Sequence, residues 1–340
     1  MKNFIFFRTD RLGDFLIITN IIKALKDKYP KSKITVVASQ LNYHFIKKFK
    51  IIDRVILFNK NYNYIKKIQI FKMINDRDYD ASFSFDGKSF SNLCTFFLRS
   101  KLKLGLIYKS KIFGIPFYKP NLLFKIIFNY SETFTSKKYL DKIEHLPTKL
   151  INLSNKLSLK VKVSDKYYYK SSINEKDFLK KFRVFSKNKF VVIHLDEKWL
   201  DINNIKVNLY EELVIFQKKI RNKIIITSFK NSFDYFSNLK KKLKKKKNKN
   251  IILFENRGLE IMERMINYSK FAVSCHSGYL VQVCGTNKSK IIDIINKKDF
   301  VWYSCWVPKN TFHKFVFKSN ERGNFGLKKI LFDVSKIIKN

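Results

Sequence analysis

Apolar and polar positions follow two rhythms along the chain. Short apolar runs recur at Phe4–Phe7, Lys33–Ser39, Asp53–Phe58, Tyr79–Phe85 and Lys103–Ile107, and again at Lys189–His194, Asn222–Ser228, Asn250–Phe254, Phe271–Ser274 and Lys290–Ile295. Runs this short and this continuously apolar predict strands buried on both faces. Between them, apolar residues fall three and four apart. Phe15, Ile18, Ile21, Ile22 and Leu25 set such a spacing, which predicts a helix from Phe15 to Tyr29 that Pro30 ends. The same reading predicts helices over Asn42–Phe49, Tyr64–Asn75, Ser89–Arg99, Pro147–Leu157, Tyr210–Lys219, Phe233–Lys245, Leu259–Tyr268 and Phe325–Lys339, and one beginning at Gly278.

Strands alternating with helices through short connections predict a parallel sheet covered on both faces. The alternation lapses from about Tyr108 to Lys170 and then resumes. A chain of 340 residues exceeds what one core usually serves. The expectation is therefore an α/β protein of two Rossmann-like domains facing across a cleft, residues 1–165 and 166–340.

The chemistry of such sheets gathers where strands end and helices begin. The first place that qualifies is Arg8-Thr9-Asp10-Arg11-Leu12-Gly13-Asp14, directly after the first apolar run. It lacks the G-x-G-x-x-G of a dinucleotide site. Asp14 reads as a general base or as a helix N-cap, where Asp is favoured. Gly13 would let a ligand approach the backbone, or is simply a turn glycine. Arg8 and Arg11 are candidates for an anionic partner, or belong to a solvated loop.

The second half offers two such places. His194-Leu-Asp196-Glu197-Lys198-Trp199 follows one strand. There Lys198 can neutralise phosphate charge, Asp196 can accept from hydroxyls, and Trp199 either packs on a ligand ring or fills the core. Ser274-Cys275-His276-Ser277-Gly278 follows another, with His276 as a phosphate-binding or proton-donating group, or as a helix cap. Backbone N–H groups of Ser277 and Gly278 would point at an anion.

These residues carry a resemblance. Arg8 to Asp14 resembles the opening signature of glycosyltransferase family 9, the heptosyltransferase-like enzymes, in which a strand runs into a turn ending Leu/Met-Gly-Asp. Asp78-Tyr-Asp80 running to Asp86-Gly87, the strand ending at His194, Leu259-Glu260 and the turn from Val273 to Gly278 are similar to later family features and fall in the same order. The resemblance implies a GT-B fold and inverting sugar transfer. Asp14 would be the base, and Lys198 with the Ser277-Gly278 turn would hold a nucleotide-diphosphate sugar. The acceptor would be a lipopolysaccharide core or a related lipid-linked glycan. No metal and no cofactor are implied. The chain departs from the family at His276, where Asp is usual, and at Val281, where His is usual.

Composition changes this picture little. Seventy Lys and Arg against 27 Asp and Glu give a formal charge of +43. This favours anionic partners such as phosphorylated substrates or an acidic membrane surface, although A/T-rich codon usage also enriches lysine. No nucleic-acid recognition motif accompanies the charge, so no nucleic-acid partner is expected. The lysine-rich segment Lys240–Lys249 reads as a solvated helix end or as an attraction to anionic lipid. Asp76-Arg77-Asp78 spells a D-x-D but precedes a strand instead of following one. Four scattered cysteines and five histidines have no zinc spacing, and the thiols suit a reducing compartment. No stretch reads as a leader or a membrane span. The expected location is cytoplasmic, peripheral on the inner membrane.

Overall fold

The computed structural model describes residues 1–112, 115–119, 126–135, 143–169, 173–181, 189–228, 234–255, 258–287, 289–320 and 323–340. The chain forms two compact units. One is Met1–Tyr169 together with Ser304–Trp306; the other is Lys170–Tyr303 together with Val307–Asn340. The division falls after Tyr169 because Tyr169 packs on Phe45 and Phe49, and the Tyr168 N–H donates to Thr19 Oγ1 at 2.9 Å.

The first unit holds β1 (Asn3–Arg8), β2 (Lys33–Ser39), β3 (Arg54–Phe58), β4 (Tyr79–Ser84), β5 (Ser100–Ile112), β6 (Ile115–Lys119) and β7 (Tyr130–Phe134). The sheet order is β3-β2-β1-β4-β5-β6, with β7 pairing β5. All pairs are parallel except β5 with β6. In the middle of the sheet Phe6 lies opposite both Val36 and Phe83, and its ring stacks on Phe83 at 4.2 Å. Phe4, Ile5, Phe6 and Phe7 are all buried, as a strand covered on both faces requires.

The second unit holds β8 (Phe190–His194), β9 (Lys223–Ser228), β10 (Ile251–Glu255), β11 (Phe271–Ser274), β12 (Ile291–Ile295) and β13 (His313–Phe317). These run parallel in the order β10-β9-β8-β11-β12-β13. One core gathers Val191, Ile193, Trp199, Leu209, Leu213, Phe216 and the Leu327–Lys339 helix residues Ile330 and Val334.

Three local expectations change. The helix read from Phe15 is two helices, Leu12–Leu16 and Thr19–Lys28, because the Thr19 hydroxyl donates to the Leu16 carbonyl and competes with the helical ladder. The strand read as ending at Ile107 runs on to Ile112 and turns back as β6. His313–Phe317 is an edge strand whose mixed sequence, His-Lys-Phe-Val-Phe, gave no continuous apolar run. Among the described residues no helix is long and apolar enough to cross a membrane.

Both sheets share one feature that places the chemistry. From β1 the chain crosses to β2 on one side, and from β4 it crosses to β5 on the other. The loops after β1 and β4 therefore diverge and leave a crevice at the strand ends. The same reversal separates β8 from β11.

Candidate functional site

At the β1/β4 crevice, Arg8 is the anchor. Its side chain is fully buried and each of its three guanidinium nitrogens is engaged. Nε and Nη2 donate to the Asp14 carbonyl at 2.8 and 2.6 Å, and Nη1 donates to the Phe85 carbonyl at 2.7 Å. Nη1 also lies 3.0 Å from Asp10 Oδ2. Arg8 thus shapes the turn and is not available to an anionic acceptor.

Asp86, just past β4, is the second support. Its Oδ2 accepts from the Thr9 N–H (3.1 Å), the Thr9 hydroxyl (2.6 Å) and the Ser91 hydroxyl (2.8 Å), while Oδ1 accepts from the Lys88 N–H (3.1 Å). Lys88 Nζ donates to the Thr9 carbonyl. Gly87 follows at φ +61°, where a Cβ would lie 2.3 Å from the Tyr108 ring, so only glycine fits.

Asp10 and Asp14 stand on this floor. Asp14 is the third residue of its helix, not the N-cap: Arg11 holds that position, exposed, and its N–H donates to Asp14 Oδ2 at 3.1 Å. Gly13 is buried beside it. Burial pushes the Asp10 carboxyl up to about 8; Arg8 works against this and is outweighed, and Asp14 and Asp86 add to the rise. Asp10 Oδ1 is buried with no hydrogen-bond partner among the described residues.

At the β8/β11 crevice the groups differ. His194 ends β8 buried against the Thr227 hydroxyl, and burial lowers its imidazole to about 4. Asp196 Oδ1 accepts from the Lys198 N–H at 3.1 Å and starts a short 3-10 turn. Burial raises the Asp196 carboxyl to about 6, Lys198 notwithstanding. Lys198 Nζ donates to the His276 carbonyl at 2.6 Å. Trp199 lies in the core with Nε1 donating to the His194 carbonyl at 2.8 Å, so it does not pack on a ligand.

After β11, His276 takes a left-handed φ of +53°. Its Nδ1 lies 2.5 Å from Asp293 Oδ2, and its ring stacks on Tyr303 with centroids 3.4 Å apart. The Ser277 N–H is occupied by Ser274 Oγ at 3.2 Å, so it does not point at an anion as expected. Gly278 is exposed, and a Cβ there would meet open space.

The expected residues thus fall into two groups. Arg11, Gly13 and Asp14 lie together in the first unit; Asp196, Lys198, His276, Ser277 and Gly278 lie together in the second. The sequence reading missed Asp10, Lys88, Asp293 and Tyr303, and took Asp86 only as a family landmark. Asp86 and Lys88 carried a usable signal, since they follow an apolar run directly. Asp293 carried one as well, as the single charge within Ile291–Ile295. The D-x-D is accounted for by arginines: Asp76 pairs with Arg54 and Arg77, and Asp78 with Arg99. Among the described residues no group of His, Cys, Asp and Glu is arranged to hold a metal.

No protein-family model matches the sequence, and no curated protein matches it. Solved structures match throughout. A glycosyl transferase family 9 protein from Veillonella parvula aligns over 99% of this chain and 96% of its own at a TM-score of 0.69 and 12% identity. Escherichia coli heptosyltransferase WaaC with ADP aligns over 99% of both chains at 0.66 and 14%. A UDP-GlcNAc 2-epimerase from Methanocaldococcus jannaschii aligns over 100% and 99% at 0.54 and 14%. At this identity the likeness is one of fold: two parallel Rossmann-like sheets, the GT-B architecture.

Proposed function

We propose that this chain is an inverting, metal-independent glycosyltransferase. It moves a hexose or heptose from a nucleotide-diphosphate sugar to a lipopolysaccharide core or related surface glycan, working in the cytoplasm at the inner membrane. The observation that carries this reading is the pairing of two switch-point sites of different chemistry in one GT-B chain. The β1/β4 site presents the half-buried carboxylate Asp14; the β8/β11 site presents Lys198 and His276. Structures of the same fold were solved with ADP and with ADP-2-deoxy-2-fluoro heptose.

In this reading Asp14 takes the proton of the acceptor hydroxyl as its oxygen attacks the anomeric carbon. The bond to the diphosphate breaks on the opposite face, in a single displacement. Lys198, with the Ser277 hydroxyl and the Gly278 N–H, holds the diphosphate, and Asp196 accepts from a ribose or sugar hydroxyl. Arg11, exposed at the helix start, meets an anionic acceptor.

The test is a mass-spectrometric screen of ADP- and UDP-linked sugars against the purified chain with a truncated core acceptor. Asp14→Asn is expected to keep the fold and nucleotide binding while turnover falls by about 10²-fold or more. Unchanged turnover removes the base assignment. A second reading, a glycan- or nucleotide-binding protein without transfer, is favoured by the Asp14 carboxylate being engaged with the Arg11 N–H. Nucleotide-sugar binding with no product from any acceptor supports it.

A further inference from the structure

β12 is Ile-Ile-Asp-Ile-Ile, buried along its whole length. Asp293 at its centre is fully buried. A carboxylate in such a place is costly unless it is paired and hydrogen-bonded. Its described ion pairs are both to histidines: His276 Nδ1 at 2.5 Å and His313 Nε2 at 3.6 Å. Oδ1 has no hydrogen-bond partner among the described residues. Burial works to raise the Asp293 carboxyl, but His276 and then His313 hold it below the ordinary carboxylate range. The described partners of this buried carboxylate are therefore imidazoles.

His276 is built to answer it. The residue sits in the left-handed region, a backbone conformation that a non-glycine side chain holds only when its surroundings fix it. Three contacts fix it here: Asp293 on Nδ1, the Tyr303 ring stacked at 3.4 Å, and Lys198 Nζ on its carbonyl. A carboxylate can face only an N–H, so Nδ1 is the donor of that pair. Nε2 takes no hydrogen bond among the described residues. It belongs to a largely buried ring just past the end of β11, 12% exposed, with Lys198 Nζ on the residue's carbonyl.

We propose that Asp293 is a positioning residue that, paired with the His276 imidazole, holds it as an aimed hydrogen-bond donor for a diphosphate. This rests on the nucleotide-sugar reading above and deepens it by assigning the leaving-group contact. As the acceptor oxygen bonds to the anomeric carbon, the electron pair of the breaking C–O bond passes to the diphosphate oxygen. The Nε2–H bond to that group strengthens as its charge grows. The acceptor's proton goes to Asp14, and the imidazole keeps its own. Asp293 thus supplies on β12 a carboxylate that supports the turn from below, where His276 occupies the position of the family's usual Asp.

The test uses the full chain, inorganic pyrophosphate as the probe, and ¹⁵N NMR of the five histidines. Pyrophosphate is expected to shift the His276 nitrogens. Its affinity should fall by about tenfold or more in His276→Gln and in Asp293→Asn, with partial recovery in Asp293→Glu. Tyr303 stacks on the ring, Lys198 binds the His276 carbonyl and His313 shares Asp293, so the difference between wild type and His276→Gln isolates the share of His276. Should Asp293→Asn fail to fold, His276→Gln and Asp293→Glu decide the matter.

Equal affinity in folded His276→Gln and wild type, or unmoved His276 signals, overturns the proposal. Sugar transfer accompanied by that equality removes this inference alone. Pyrophosphate binding through His276 with no nucleotide sugar turned over supports the inference and removes the glycosyltransferase reading.

Discussion

The two switch-point sites occupy equivalent places in two similar sheets and are built with opposite sign. At β1/β4 a fully buried cation, Arg8, lies beneath a partly exposed carboxyl group, Asp10. At β8/β11 a fully buried anion, Asp293, lies beneath a partly exposed imidazole, His276. Each buried charge holds the turn that follows a strand, and each pairs with a titratable group nearer the surface. The topology decides where a site can be; the buried ion decides which charge the site can display. An acid–base site and an anion-holding site can therefore share one architecture.

Breaking the floor of the first site should have the largest effect. Asp86→Ala leaves the Thr9 N–H, the Thr9 hydroxyl and the Ser91 hydroxyl without their buried acceptor. A loss of about 3 kcal/mol is expected, read as a lower urea midpoint at unchanged slope. A loss below about 1 kcal/mol would mean that water or a rearranged turn replaces the carboxylate.

The sign of the first site is sharpened by pH. The Asp10 carboxyl stands at about 8 in the fold and near about 3.9 in the unfolded chain. Between these values the folded state holds the extra proton, so this group's contribution to stability declines as pH rises from about 4 to about 8. The slope is at most about 1.4 kcal/mol per pH unit. Asp196, at about 6, and Glu263, at about 7, add slopes of the same sign, so the comparison is between wild type and Asp10→Asn. Denaturant melts at pH 5 and pH 8 should differ less in the variant. An equal difference in both proteins would place the proton elsewhere.

The smallest effect belongs to the D-x-D. Asp78 and its partner Arg99 are both largely exposed. Asp78→Asn should change stability by no more than about 0.5 kcal/mol and leave turnover unchanged. A large loss of turnover that added Mn²⁺ restores would reinstate a metal site there.

Much of the fold was legible because buried parallel strands announce themselves as unbroken apolar runs. Those of β1, β2, β8 and β9 were read nearly to their ends. β13 was missed because an edge strand keeps polar residues, and the break at Ile17-Ile18 was missed because the Thr19 hydroxyl that causes it leaves the apolar spacing intact. In the sites, residues of one turn were legible together: Arg11, Gly13 and Asp14, or His276, Ser277 and Gly278. What joins a turn to its neighbour was not. Asp86 meets Thr9 across 77 residues, and only the strand order brings them together. Asp293 stood out as a lone charge among isoleucines, but its partners His276 and His313 lie 17 and 20 residues away and only the strand order joins them.

Arg8 carries a consequence for how the chain acquires its first site. Its fork binds the Asp14 carbonyl six residues ahead and the Phe85 carbonyl 77 residues ahead. The turn therefore cannot reach its final shape from local sequence, however quickly its helix forms. A nascent chain that has not yet delivered β4 holds a guanidinium with part of its fork unmet. The geometry around Asp14 is completed only when the loop between β1 and β4 closes, which ties the maturation of this site to a long-range folding event.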